Sequence, residues 1–295
     1  ASFDHPQGMA LHEQTLYVAD NENDLIRKID LQAKQVTTIA GTGEQGPAWP
    51  GIEKLTPNSE LPERWVGKPL ETGVNSPWAL WVHEDDLYIA MAGPHQIWKM
   101  TLDGSEIGPY AGNGREDIVD GPLLPKTPYT QGYSSFAQPS GLTSDGTWLY
   151  VADSEGSSIR AVPFDPEAET QTVVGSNHLP YGRLFAFGDQ DGQGEEVLLQ
   201  HALGVVYHEG NIYVADTYNN KIKVVNVEQK TCKTIAGTGQ PGADDATGTF
   251  DEPEGITYAK GIVYVADTNN HLFRTIDLAN GNKVGTLVIE GLKAQ

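Results

Sequence analysis

Three side chains able to hold a divalent cation stand at matching places in this chain. His5, His201 and Glu252 each lie just ahead of a short apolar run. Two imidazoles and a carboxylate form a plausible ligand set for a divalent metal, which can act as a Lewis acid or lower the pKa of a bound water. That chemistry belongs to a metal-dependent lyase or hydrolase. The plainer role for the same residues is to cap strand ends. A second oxygen-rich stretch, "FGDQDGQGEE" (Phe187 to Glu196), places Asp189, Asp191 and Gln193 as in a calcium loop, but Gln200 stands where a bidentate Glu is required. "GTGEQG" and "GTGQPG", opening at Gly41 and Gly237, fit G-x-G-x-x-G, yet no helix start follows either one. "GYSSF" (Gly132 to Phe136) lacks the spacing and flanks of a nucleophile elbow.

The elements that must position these residues are repeats. The word "YVAD", with one variant "YIAM", ends at Asp20, Met91, Asp153, Asp216 and Asp267, at intervals of 71, 62, 63 and 51 residues. The two glycine-rich stretches are 196 residues apart, the same offset as Asp20 to Asp216, so they are one turn of the repeat seen twice. Around each anchor come a turn-like lead-in, the apolar word, a polar turn, a run such as "LIRKID" or "KIKVVN", and a closing run such as "TIAG". The runs are short and rich in Val, Ile, Tyr and Thr, with Gly, Asn, Asp and Pro between them. Each repeat predicts four antiparallel strands in a meander, the blade of an all-β β-propeller. The repeats span about 5–46, 76–117, 138–176, 200–242 and 252–290 of a single domain covering residues 1–295. Five are visible, so the ring is five-bladed, or six-bladed with one repeat missing. In a five-bladed ring, repeats four, five and one would adjoin and bring His201, Glu252 and His5 together at the channel mouth.

The anchor aspartates read as turn-fixing residues, with Asn23, Asn219 and Asn270 tolerating left-handed backbone. A basic residue follows the anchor by seven positions, at Arg27, Arg160, Lys223 and Arg274, which predicts pairing with carboxylates between blades. The pattern "LYVADTxNNxIxxxD…TxAGTG" resembles NHL-repeat β-propellers over essentially the whole chain. "YIAMAGPHQIWKM" and "LLQHALGVVYHEGNIYVADTYNNKIKV" are similar to the subgroup in which a thioredoxin-like domain precedes the propeller. That resemblance implies a partner-docking part of a larger, redox-linked protein, and some propellers of this kind are metal-dependent lyases or hydrolases.

Loops after the second and fourth strands of a meander emerge on the same side, so the long connectors, roughly 43–75, 113–137, 176–199 and 240–251, share a rim with the Asp/Asn turns. They carry Trp49, Arg64, Trp65, Tyr129, Tyr133, His178, Tyr181 and Arg183, residue types that interfaces favour. The same aromatics could instead pin their own loops down. The formal charge of −21 disfavours nucleic acid and anionic membrane surfaces and fits a solvated surface. No apolar run approaches the ~20 residues of a membrane span, and no signal peptide is visible at the start. The lone Cys232 allows no disulfide within the chain. The expectation is a non-catalytic propeller that binds a protein, peptide or small polar ligand through the loop-rich face. A divalent-metal enzyme is the alternative, and no organic cofactor is expected.

Overall fold

The computed structural model describes residues 1–290 apart from 50–55, 57, 62–65 and 129. Among the described residues the only helical elements are three-residue 3-10 turns. Five antiparallel meanders follow one another. Blade one consists of Pro6–His12, Thr15–Asp20, Leu25–Asp30 and Gln35–Ala40. Blade two is Pro77–His83, Asp86–Met91, Gln96–Thr101 and Ile107–Ala111. Blade three is Pro139–Ser144, Trp148–Asp153, Ser158–Pro163 and Glu169–Val174. Blade four is Gly204–His208, Asn211–Asp216, Lys221–Asn226 and Thr231–Ala236. Blade five is Pro253–Ala259, Ile262–Asp267, Leu272–Asp277 and Lys283–Thr286. The arrangement is a five-bladed β-propeller. Gly121–Pro122 and Gly192–Gln193 add a short outer strand to blades three and four.

The alternation of each apolar word sends its side chains to opposite faces of the sheet, and both faces are covered. The core is accordingly divided into four clusters, one at each junction between successive blades. At the junction of blades three and four, Tyr150, Ala152 and Ile159 meet Val205, Ile212 and Val214. Glycine in the first strand lets the innermost strands approach. A Cβ on Gly8, Gly141 or Gly204 would lie 2.0–2.5 Å from a carbonyl oxygen of the next blade.

The same backbone-amide hydrogen bond also recurs at each of these junctions. The residue leading into a first strand has left-handed backbone, with φ of 44° to 57° at His5, Ser76, Gln138, His201 and Glu252. The amides of Ser76, Gln138, His201 and Glu252 donate to Asp24 Oδ1, His95 Nδ1, Ser157 Oγ and Asn220 Oδ1 of the preceding blade. Those four acceptors, with His271, are themselves left-handed, and each follows the expected asparagine position by one residue. The shift has a simple cause: in blades one and four the anchor is followed by a three-residue 3-10 turn, and the chain reverses only after it.

Innermost strands pack side by side from blade one through blade five, but no comparable packing joins blade five to blade one among the described residues. His201 and Glu252 therefore lead into neighbouring strands as expected, whereas Glu252 and His5 are not brought together around the ring.

Candidate docking face

The anchor aspartates are structural. One oxygen of each accepts the amide just before the first strand of its own blade: Asp4 to Asp20, Ala137 to Asp153, Gln200 to Asp216 and Asp251 to Asp267, at 2.7–2.8 Å. The asparagine three residues on donates to the same carboxylate in blades one, four and five. The basic residues pair with the anchor of their own blade, not across blades as their regular spacing suggested. Arg27–Asp20 is 3.0 Å, Arg160–Asp153 3.2 Å, Lys223–Asp216 3.4 Å and Arg274–Asp267 2.7 Å. Strand pairing explains this, because residue and anchor lie on adjacent strands of one hairpin. Where the cation is Arg it lies over a phenylalanine, Phe3, Phe136 or Phe250, with 5.1–5.3 Å to the ring centre. Blade four has Leu199 at that place and Lys223 as its cation.

A second aspartate, in the connector leading into the blade, completes the arrangement in blades three, four and five. Asp120, Asp191 and Asp245 each accept from the amide and hydroxyl of an outer-strand threonine, Thr172, Thr234 or Thr286. Each also meets the buried cation, at 2.9, 3.2 and 2.7 Å. The calcium-like stretch is absorbed here. Asp189 pairs with Lys221 and Lys223, and Asp191 with Lys223 and Thr234, so their carboxylates are engaged by cations of the fold. Burial alone would raise both acids, but these partners hold them below the usual carboxylate range.

The expected sharing of one rim is visible in the bonds between turns and connectors. Asn219 donates to Gly188 O at 2.6 Å and Asn270 to Gly242 O at 2.8 Å. Arg183 grips Asp117 of the neighbouring connector through two nitrogens, at 2.5 and 2.6 Å. Those bonds outweigh the burial of Asp117 and keep its carboxyl below the ordinary range.

The eight expected face residues divide. Arg64, Trp65 and Tyr129 lie outside the described residues. Trp49 is buried, Tyr133 is half-buried, and Arg183 is occupied as a clamp. His178 is exposed beside Glu195 at 3.2 Å. Tyr181 is 90 % exposed, and Phe185 (80 %) and Phe187 (50 %), which the sequence reading passed over, stand on the same connector. Two phenylalanines in "RLFAFG" without a strand partner were the available signal. The Gly188–Asn219 bond ties this stretch to the blade-four turn, where half-exposed Tyr218 stacks on His201 at 4.4 Å between ring centres.

The remaining metal candidates stay apart. His201 approaches Glu155 at 3.6 Å, His5 contacts Asp4, and Glu252 is stitched to Asn220 through its amide. Among the described residues no group of three or more His, Cys, Asp or Glu is placed to hold a metal ion.

An NHL repeat family model matches residues 250–274, the lead-in, word and start of the third strand of blade five. NHL repeat-containing protein 2 of Gallus gallus is 40% identical over 309 residues, covering 94% of this chain. The chain is an NHL-repeat β-propeller. The human NHL repeat-containing protein 2 is likewise 40% identical over 301 residues. The chloroplastic protein SUPPRESSOR OF QUENCHING 1 of Arabidopsis thaliana is 40% identical over 306 residues and covers 99% of the chain. This NHL propeller spans 39% of the animal relatives and 27% of the plant one. Among solved structures it resembles a chain of a nidogen/laminin complex, with TM-score 0.61, 13% identity and coverage of 96% of this chain and 80% of that one. Virginiamycin B lyase from Staphylococcus aureus follows at TM-score 0.53, 12% identity and coverage of 97% and 84%. At such identities these two report the fold alone. No helix among the described residues is long and apolar enough to cross a membrane.

Proposed function

We propose that the NHL propeller is a non-catalytic docking module that takes a protein or peptide partner on its loop-rich face. The single observation behind this reading is the row of exposed aromatics Tyr181, Phe185 and Phe187 on a connector that is fastened within the row and just after it. Arg183 clamps it to Asp117, and Asp189 and Asp191 fasten it to Lys223. Large apolar side chains held out in solvent on an anchored loop are what binding hot spots require, because little ordering remains to be done on association. The connector also carries Glu195 and Glu196, and the whole chain is strongly acidic. The partner that fits is a segment presenting apolar anchors flanked by Lys or Arg.

The three dispersed candidates His5, His201 and Glu252 offer less support for chemistry at the ring centre. The test is affinity capture from the native source with the wild-type chain and with a Tyr181→Ala/Phe185→Ala variant, compared by quantitative mass spectrometry. Each truncation at a hot spot is worth about 2 kcal/mol, so a true partner weakens roughly 30-fold per residue. Identical capture by both proteins would end this reading.

A further inference from the structure

The junction between blades two and three differs from the others at its outer edge. At the other three junctions that place is held by aliphatic pairs, Ile39 with Leu102, Val173 with Val227, and Ile235 with Leu278. Here both residues are aromatic: Tyr110 on the last strand of blade two and Phe164 just after the third strand of blade three. Gly108 lines the same space, at a position where strand register places Thr37, Gln171 and Lys233 in blades one, three and four. Two rings and one missing side chain leave an open groove of about 490 Å³ between the blades.

The walls of the groove are fixed and short of hydrogen-bond donors. His83 stacks on Phe164 with 3.7 Å between ring centres, and Tyr88 meets Phe164 and Tyr110 edge-on at 5.1 and 5.2 Å. Little ordering of the rings therefore remains to be done on binding. Pro109, Pro122 and Pro166 line the same space, and proline has no N–H to offer. The Tyr110 hydroxyl donates to Pro163 O at 2.8 Å, and the Lys99 ammonium is held by Asp86 at 2.7 Å. With Lys99 neutralised, the charge left at the mouth is acidic. Glu106 and Glu167 lie in the lining, and Glu167 is exposed with no side-chain partner among the described residues. Burial pushes the Tyr110 phenol up, and the fields of Asp165 and Asp86 push it further.

We propose that this groove binds a small organic cation, a flat apolar body carrying an ammonium or amidinium group. The body lies against Tyr110 and Phe164, whose ring faces attract both apolar surface and positive charge, and the charged group reaches Glu167. An anion or a carbonyl-rich ligand is a poor match, because it meets carboxylates and few donors. The space suits a compact molecule. Backbone bonds bound it at either end of the last strand of blade two: Gly67 and Ile107 exchange a pair at 2.8 and 2.9 Å, and Gly112 donates to Leu123 O at 3.0 Å. The groove is built from blade edges and shares no residue with the connector that carries Tyr181, Phe185 and Phe187, so the proposal does not depend on the docking reading above.

The experiment is ligand-observed NMR titration of the full-length protein with benzamidinium, its neutral counterpart benzamide and its anionic counterpart benzoate. Benzamidinium should bind saturably in the millimolar range expected of so small a probe, and at least about tenfold more tightly than benzamide. Benzoate should not compete with it. Gly108→Gln installs the side chain that blade three carries at this place. It should fill the groove and weaken benzamidinium at least about tenfold, in a protein still folded by circular dichroism. Glu167→Gln, at an exposed position, should weaken benzamidinium about tenfold and benzamide less than about twofold. Equal benzamidinium affinity in the wild type and both variants would overturn the proposal, as would benzoate binding as tightly as benzamidinium. Absence of saturable binding below about 20 mM would overturn it too. Displacement of benzamidinium by an equal concentration of N-acetylarginine amide would assign the groove to a protein side chain and overturn the small-molecule assignment.

Discussion

Lys223 offers the sharpest test of how the connectors are held. Its ammonium is fully buried and lies 3.4 Å from the equally buried Asp216, 2.9 Å from Asp189 and 3.2 Å from Asp191. Lys223→Met keeps the length of the side chain and removes the charge. Removing one partner of a buried ion pair costs about 3–5 kcal/mol, because the other is left desolvated and unpaired. The Lys223–Asp216 pair carries most of that figure, since Asp189 and Asp191 are partly exposed and water screens them. For a chain of 295 residues the loss corresponds to a fall in Tm of about 5–8 °C. Urea unfolding at pH 7, followed by tryptophan fluorescence, should show a lower midpoint with an unchanged slope.

The pH dependence is a further check on Lys223→Met. Asp189 and Asp191 have folded pKa values below the unfolded ones. The stability they confer is therefore complete above the ordinary carboxylate range near pH ~4 and is lost as pH falls through their depressed values. Asp216, which carries most of the figure, is raised by burial to about 6. The variant's deficit should therefore shrink first as pH falls through about 6, and further as Asp189 and Asp191 take up protons. Lys223→Arg keeps the charge that blades one, three and five use, and should cost below about 1.5 kcal/mol. A deficit under about 1 kcal/mol for Lys223→Met, or one that is the same at pH 3 and pH 7, would refute the assignment.

Three further outcomes are expected. Gly204→Ala drives a Cβ to 2.0 Å from Glu254 O and should destabilise the 295-residue chain by about 2 kcal/mol or more, while Gly255→Ala in the same chain should change its urea midpoint by less than about 0.5 kcal/mol. Burial pushes the Cys232 thiol up to about 12, so it should resist iodoacetamide at pH 8 in the native protein and react in 6 M guanidinium, to be read by mass spectrometry. Asp117→Asn should raise hydrogen exchange of amides in 176–199 roughly tenfold, and the wild type should show the same loosening as pH falls below ~4, because the depressed Asp117 releases Arg183 only when protonated.

What the sequence made legible was what repetition encodes. Five copies of one word reveal strand order, blade boundaries and the role of Asp20, Asp153, Asp216 and Asp267, because the same local physics recurs at each. The connectors occur once each, and there residue type did not reveal direction. Trp49 turns inward and Arg183 reaches a neighbouring connector, whereas Phe185 and Phe187 face water. The connector aspartates were also hidden, since Asp120, Asp191 and Asp245 precede their threonines by 41–52 residues and sit in dissimilar words. Pairing of the basic residues within their own blade was deducible from the hairpin register, had the seven-residue spacing been folded back across the turn. Whether the fifth blade meets the first was not legible, because five visible repeats fit a five-bladed ring and a six-bladed one with a repeat missing equally well.

The lead-in residues carry a separate consequence. His5, Ser76, Gln138, His201 and Glu252 share one backbone conformation that glycine would adopt with less strain, yet none of the five is glycine. The amides of Ser76, Gln138, His201 and Glu252, not their side chains, make the stitches, so those bonds place no demand on the side chain. Natural variants should therefore drift freely there while the neighbouring anchors stay fixed. An engineer wishing to install new groups on this scaffold has five addresses that the architecture leaves open.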